Sequence, residues 1–138
     1  MCYNMVKELK ISSDLENLKI VEKAIDEITA TTGISHANYG RIWVAVLEAV
    51  NNAIRHGNKF APDKFVNVSL KCEGDKFTII VEDEGCGFSP ESIPDPTSLE
   101  NIEKLDGRGV FLIMKLADEI EFSEKGNSVT IVFNNIFS

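Results

Sequence analysis

The sequence from Glu48 to Asn58 reads Glu-Ala-Val-Asn-Asn-Ala-Ile-Arg-His-Gly-Asn and ends an otherwise apolar helical pattern. On a helix, Glu48, Asn52 and His56 recur at every fourth position, so a carboxylate, an amide and an imidazole share one face. A buried helix has no structural need for such a cluster, and local rules tend to fail at functional sites. The stretch therefore predicts a ligand site near the end of a helix.

Patterns before this stretch predict a strand followed by a helix. Leu9 and Ile11 alternate with polar residues, as in a strand with one buried face. Ser13 and Glu16 then have the spacing of a capping box, and Gly33 is placed to end the helix that this box would start. The helix of interest is predicted over residues 37–55, with an apolar stripe of Tyr39, Ile42, Trp43, Val46, Val50 and Ala53.

Patterns after this stretch predict antiparallel strands and a long loop. Residues 66–72 and 77–81 alternate with a period of two around a hairpin turn at 73–75. Residues 89–106 contain three prolines and no periodic pattern, and loops of that length often act as lids or binding loops. A helix over 110–117 and further strands complete the predicted order, the strands at residues 120–122 and 129–133.

Composition limits the classes to which the protein can belong. The 138 residues predict a single domain, residues 1–138, and they carry a net charge of −8, which makes non-specific binding to nucleic acid or anionic lipid unfavourable. No apolar run is long enough for a membrane span, and the start shows no secretory signal. Three cysteines without metal-ligand spacing indicate reduced thiols, so we expect a cytoplasmic protein.

Asp83 follows the second predicted hairpin strand and has the same parity as Phe77 and Val81. Its carboxylate is therefore expected on the face that the helices cover, where an ionised group needs a partner. Gly85 and Gly87 allow the backbone to bend and approach a flat ligand, and an exocyclic amine such as that of adenine would satisfy the carboxylate. The alternative is a strand-ending turn in which Asp83 caps its own backbone.

Gly107-Arg108-Gly109 precedes an apolar helix. Unpaired amides at a helix N-terminus favour phosphate binding, although a glycine-rich loop end is the preferred explanation when this motif is considered alone. The third glycine of a dinucleotide fingerprint is absent, since position 112 is Leu.

In order and spacing, these three motifs together resemble the GHKL ATPase superfamily of gyrase, heat-shock chaperone, histidine kinase and mismatch-repair ATPase domains. The resemblance covers residues 41–133 and implies the Bergerat fold. This fold is an α+β arrangement, an α/β sandwich in which helices pack on one face of a mixed, mostly antiparallel sheet. A long lid covers the ATP.

Within that superfamily the chain is most similar to the stand-alone anti-sigma-factor serine/threonine-protein kinases of bacterial partner-switching systems. The similarity lies in residues 47–58, 81–88 and 107–113. A histidine kinase would need an upstream hairpin with a phosphoacceptor histidine, for which the sequence before the core leaves no room. His56 is therefore interpreted as a structural histidine near the helix end.

The resemblance assigns roles to individual residues. Asn52 would coordinate Mg²⁺, Asp83 would bind the adenine amine, and Glu48 would be the general base. The residues that it places around ATP are Asn52, Arg55, Asp83, Gly85, Gly87, Phe88, Gly107, Arg108, Gly109, Val110 and Ser128.

Two positions depart from the family pattern. Ser128 lies where relatives often have Thr in the last nucleotide-facing strand. Leu105 and Asp106 stand where related kinases often carry an arginine that meets the terminal phosphate. Arg108 or Lys104 could take that role, or either could be a solvated surface charge.

The resulting hypothesis is an ATP- and Mg²⁺-dependent serine kinase that phosphorylates a small antagonist of the anti-anti-sigma type and sequesters a sigma factor or another regulatory protein. The resemblance also suggests a homodimer. One alternative is a nucleotide-sensing module that holds a regulatory partner without catalysis. Another is an α/β scaffold that binds no nucleotide.

Overall fold

A five-stranded sheet in the order β1-β2-β3-β5-β4 forms the framework of the protein. The computed structural model describes residues 4–85, 107–123 and 127–138, and the predicted lid lies outside them. The elements are β1 (Asn4–Ser12), α1 (Leu18–Thr32), α2 (His36–Asn52), β2 (Phe65–Glu73), β3 (Lys76–Glu82), α3 (Gly107–Leu116), β4 (Glu119–Phe122) and β5 (Ser128–Phe133).

All four strand pairings are antiparallel. The family resemblance implied a mixed, mostly antiparallel sheet, and the described strands contain no parallel pair. The hairpin between β2 and β3 is confirmed, with Gly74 in the left-handed region at φ 62°. β3 and β5 are neighbours in the sheet although α3 and β4 lie between them in the chain, which brings the end of β3 beside the start of β5.

The helices cover one face of the sheet, as predicted for this α+β fold. The buried side chains of that face alternate along the strands, with Phe77, Ile79 and Val81 from β3 beside Ile131 and Phe133 from β5. They pack against apolar residues of α1 and α2 in one core cluster. Ile80, on the opposite face, is 40% exposed. Among the described residues, no helix is both long and apolar enough to cross a bilayer.

The start of the first helix differs from the predicted capping box. Asp14, rather than Ser13, accepts the hydrogen bond from the Glu16 amide, at 2.9 Å, and a 3₁₀ turn over Leu15–Asn17 precedes α1. The Ser13 hydroxyl instead donates to the carbonyl of Lys64 at 2.7 Å. The spacing of Ser13 and Glu16 therefore predicted the correct region for the helix start. Ser13 itself, however, bonds to a residue distant in sequence instead of capping the helix.

Helix α2 ends in a π turn that the sequence pattern did not predict. The α-helical part stops at Asn52, and Ala53–Gly57 form the wider turn. The amide of Asn58 donates to the carbonyl of Ala53, at 2.8 Å, across five residues. Such turns are frequent at functional sites, and this one changes the direction in which the residues beyond it project.

Candidate nucleotide site

Asp83 lies at the end of β3 with its side chain on the helix-covered face, as its parity predicted. The residue is 9% exposed, and burial raises the pKa of its carboxyl above the ordinary value. The hydrogen bond from the Gly85 amide opposes that shift of the pKa, and the charge of Glu82 adds to it. Among the described residues, that amide is the one hydrogen-bond donor to the carboxylate, at 2.8 Å. A buried carboxylate with spare acceptor capacity is suited to a ligand amine.

The backbone around Asp83 is held on both sides by residues distant in sequence. Its amide donates to the carbonyl of Asn127 at 2.8 Å, and the Asn127 side-chain amide donates back to the Asp83 carbonyl at 3.2 Å. The next amide, that of Glu84, donates to the side-chain oxygen of Asn58 at 2.8 Å. These contacts fix the direction of the Asp83 side chain.

Two glycines allow the end of α2 to approach this turn. A Cβ on Gly85 would lie 2.0 Å from the carbonyl oxygen of Gly57, and a Cβ on Gly57 would lie 2.2 Å from an oxygen of Asp83. Neither separation is sterically possible without movement. We call the set of Ser13, Gly57, Asn58, Asp83–Gly85 and Asn127 the Asp83 corner.

Asn52 is the last residue of α2, and its side-chain oxygen is buried without a hydrogen-bond partner among the residues that the structure describes. Buried polar atoms are normally satisfied, so this oxygen is available to accept a ligand. Amide oxygens coordinate Mg²⁺, so this atom fits the predicted metal role. The described residues contain no cluster of three or more carboxylate, His or Cys groups that could hold a metal.

Glu48 lies one turn before Asn52 and is half-buried. His56 lies within the π turn, where α-helical spacing no longer applies, and it is exposed. The predicted common face therefore holds for Glu48 and Asn52 and not for His56. Arg55, predicted to contact the nucleotide, is exposed and donates to the side-chain oxygen of Asn51 at 2.9 Å.

The predicted phosphate-binding motif, Gly107-Arg108-Gly109, lies at the start of α3. Helix α3 begins at Gly107, so the amides of the residues from Gly107 to Val110 lie in its first turn, where they lack helical partners. This position fits the predicted phosphate role of Gly107, Arg108 and Gly109. Gly87, Phe88 and Lys104 lie outside the described residues.

The structure does not bring Ser128 to the Asp83 corner. It pairs with Glu82 and has the parity of Thr130, which places it on the sheet face opposite the helices. The preceding residue, Asn127, contacts Asp83 instead. Because parity alternates along a strand, a one-residue difference in alignment exchanges the two faces.

The sequence interpretation gave no role to Ser13, Asn58 or Asn127 at this site. Asn58 directly follows the motif glycine Gly57, and a polar residue there is a weak signal. Asn127 belongs to a predicted turn, where asparagine is common for local reasons. No local pattern connects these residues with Asp83.

Comparison with known protein families matches residues 11–133 to the histidine kinase-like ATPase domain. The chain is similar to serine-protein kinase RsbW of Staphylococcus epidermidis, with 26% identity over 133 residues that cover 91% of this chain and 84% of that protein. RsbW of Staphylococcus aureus strain bovine RF122 is also 26% identical, over 90% of this chain and 83% of its own length.

Solved structures share the fold. The RsbU and RsbW domains of Rv1364c from Mycobacterium tuberculosis align with a TM-score of 0.65 at 18% identity over 95% of this chain. The blue-light activated histidine kinase domain of Erythrobacter litoralis EL346 aligns with a TM-score of 0.56 at 24% identity over 91% of this chain. This chain covers 32% of the first structure and 62% of the second.

Proposed function

This chain belongs to the family of histidine kinase-like ATPase domains, and we propose that it is an ATP-dependent protein serine kinase that also acts as an anti-sigma factor. The observation that carries the proposal is the orphaned buried oxygen of Asn52 one helical turn after the half-buried Glu48. That pair supplies a metal ligand and a general base on one helix. Similarity to the RsbW serine-protein kinases supports the same activity.

In the proposed reaction the Asp83 carboxylate accepts a hydrogen bond from the adenine amine. Asn52 would hold Mg²⁺, which would neutralise phosphate charge. Glu48 accepts the proton of the attacking serine hydroxyl as the serine oxygen bonds to the terminal phosphorus. The bond to the bridging oxygen breaks, ADP leaves, and phosphoserine remains on the protein substrate.

The proposed substrate is a small antagonist protein of the anti-anti-sigma type, and the sequestered partner is a sigma factor or another regulatory protein. Both come from the family resemblance. The net charge of −8 supports a protein partner over nucleic acid. We also propose, on the same resemblance, that the protein is cytoplasmic and forms a homodimer.

Phosphotransfer from labelled ATP to a candidate antagonist tests the catalytic assignment. Glu48→Gln should lower the transfer rate by about 10²- to 10⁴-fold, the usual contribution of a general base, and leave ATP affinity unchanged. Glu119→Gln, an exposed position on β4, is the matched control and should transfer at the normal rate. If the unaltered protein binds the antagonist and ATP but transfers no phosphate, the protein is instead a nucleotide-sensing module.

A thermal shift tests the nucleotide and metal assignments. Ligand at about 100 times its dissociation constant should stabilise the fold by roughly 2.7 kcal/mol. Asn52→Ala should remove the part of that shift that depends on Mg²⁺ and leave the nucleotide-free stability nearly unchanged, because the lost oxygen has no partner in the described part of the chain. Absence of a shift at saturating ATP and Mg²⁺ would support the scaffold alternative.

A further inference from the structure

Asn58 is a buried polar residue that forms hydrogen bonds to several parts of the fold. It is 2% exposed, and it directly follows the π turn at the end of α2. Its side-chain nitrogen donates to the Ser13 hydroxyl at 2.9 Å and to the carbonyl of Phe65 at 3.0 Å. Its side-chain oxygen accepts from the amide of Glu84 at 2.8 Å. The side-chain amide of Asn58 therefore connects the end of β1, the start of β2 and the turn after β3 to the π turn that follows α2.

The backbone of Asn58 is satisfied as well. Its amide donates to Ala53 and its carbonyl accepts from the amide of Ala61 at 2.9 Å. Each hydrogen-bonding group of this asparagine thus has a protein partner within the described residues. A fully connected buried network restricts the geometry of everything attached to it.

The contact with Glu84 links this network to the nucleotide site. Glu84 is the residue between Asp83 and Gly85, so the hydrogen bond to its amide fixes the middle of the turn that aims the Asp83 carboxylate. The side chain of Glu84 reinforces the link by accepting from the amide of Phe65. The π turn contributes as well, because the hydrogen bond from the Asn58 amide to the Ala53 carbonyl positions the backbone that carries the Asn58 side chain.

We propose that Asn58 is a positioning residue for base recognition, acting through the Glu84 amide to hold the Asp83 carboxylate in line with the exocyclic amine of adenine. This inference rests on the proposed nucleotide binding and adds the source of its base specificity. Asn58 touches neither the nucleotide nor the reacting atoms in this scheme. Its loss therefore alters discrimination between bases more than it alters affinity for the triphosphate.

The test compares ATP with inosine triphosphate, which has a carbonyl where ATP has the amine. Dissociation constants for both nucleotides are measured by calorimetry, and their ratio reports the contact at Asp83. A site with a placed acceptor discriminates against a ligand that lacks the donor, so we expect the unaltered protein to prefer ATP. In Asn58→Ala that preference should fall by about tenfold, because a charge-assisted hydrogen bond depends on alignment.

Asn38→Ala is the matched control. Asn38 is another buried asparagine, 5% exposed, whose side-chain nitrogen lies within hydrogen-bond distance of three oxygens far from Asp83. Its substitution should lower stability by a similar amount and leave the ATP preference intact. A general loss of rigidity in the fold would lower the preference for ATP in both variants by a similar amount.

A double-mutant cycle identifies the route of the effect. In an Asp83→Ala background, which leaves no polar side chain to contact either base, the further change Asn58→Ala should leave the nucleotide ratio unaltered, since the contact that Asn58 positions is already gone. If Asn58→Ala fails to fold, Ser13→Ala decides, because it removes one acceptor from Asn58 and should lower the ATP preference about threefold.

A preference for ATP that persists at full strength in folded Asn58→Ala, or in Ser13→Ala if the first variant does not fold, would overturn the inference and leave the proposed function standing. Failure of the unaltered protein to bind ATP would refute both. An equal loss of preference in Asn38→Ala would also overturn the inference, because it would show a non-specific effect.

Discussion

A buried asparagine lies at each end of the α2 region: Asn38 near the start of the helix and Asn58 directly after the π turn that follows it. The hydrogen-bond networks around these two residues differ. Around Asn38 the contacts hold elements together. Its nitrogen bonds to Ser35 and to carbonyls of the C-terminal residues, and its oxygen accepts from Arg41 at 2.8 Å. Arg41 also donates to the Leu116 carbonyl at the end of α3, at 2.6 Å and 3.1 Å. A cation suits a helix C-terminus.

Every hydrogen-bonding group of Asn58 also has a partner. Two polar groups near it, however, have acceptor positions that the described residues do not fill. The Asp83 carboxylate has a raised pKa and spare acceptor capacity, and the Asn52 oxygen, on the same helix end, has no partner in the described residues. Polar groups buried without partners cost free energy, so a fold retains them where a ligand supplies the partner. The Asn38 network is therefore structural, whereas the Asn58 network surrounds the proposed nucleotide site.

The largest expected effect is at Gly85. Gly85→Ala would place a Cβ 2.0 Å from the Gly57 carbonyl oxygen, so the turn or the π turn must move. We expect a loss of about 3 kcal/mol in the free energy of unfolding and at least a tenfold loss of ATP affinity. Urea denaturation and calorimetry measure the two. Normal ATP affinity in this variant would mean that the Asp83 corner is not the nucleotide site.

A somewhat smaller effect is expected from Arg41→Ala, at the other end of α2. Removing the guanidinium breaks the contacts with Asn38 and Leu116 and should lower the free energy of unfolding by about 2 kcal/mol. The ratio of ATP to inosine triphosphate affinity should not change. Arg41→Lys keeps the charge and loses the forked geometry, so its stability should lie between the two. A changed ratio of these affinities would show that the start of α2 also influences base recognition.

Asp83→Asn should lower ATP affinity by about 10- to 100-fold, the value of a hydrogen bond to a charged group. Inosine triphosphate should be affected less, because the new amide can donate to its carbonyl. Isothermal calorimetry on both nucleotides provides the comparison. Equal losses for the two nucleotides would argue against base recognition by Asp83.

The raised pKa of Asp83 gives a pH dependence with a defined sign. The folded protein holds the proton more tightly than the unfolded chain, so this group favours folding at low pH and the advantage is lost as the pH rises through the raised pKa. At neutral pH, nucleotide-free Asp83→Asn should therefore melt at a higher temperature than the unaltered protein. ATP binding to the unaltered protein should weaken as the pH falls through the same pKa. A lower melting temperature for the variant at neutral pH would contradict this sign.

The smallest effect is expected at Gly40, within α2. A Cβ there meets no atom within 4 Å, in contrast to Gly85. Gly40→Ala should raise the free energy of unfolding by about 0.5–1 kcal/mol through the helix preference of alanine. Thermal unfolding checks the gain, and the nucleotide affinities should remain unchanged. Destabilisation would indicate that this end of α2 is more tightly constrained than its open surroundings suggest.

Sequence patterns alone predicted the order of the elements, the covered face of β2 and β3, and the family. Strand parity placed the Asp83 side chain on the covered face, and Gly33 ended α1 with φ 81° as its position predicted. These features depend on periodicity and on the local backbone, which nearby residues control. The motif order added the family because three weak motifs in a fixed sequence are jointly specific.

The contacts that hold the Asp83 corner could not be predicted from the sequence. Ser13 and Asn58 meet across 45 positions, Asn58 and Glu84 across 26, and Asp83 and Asn127 across 44. These contacts engage Ser13 away from the helix cap and place Asn127, rather than Ser128, against Asp83. A hydrogen bond between distant residues leaves no periodic signal in the chain, because its geometry exists only after the strands and helices have packed.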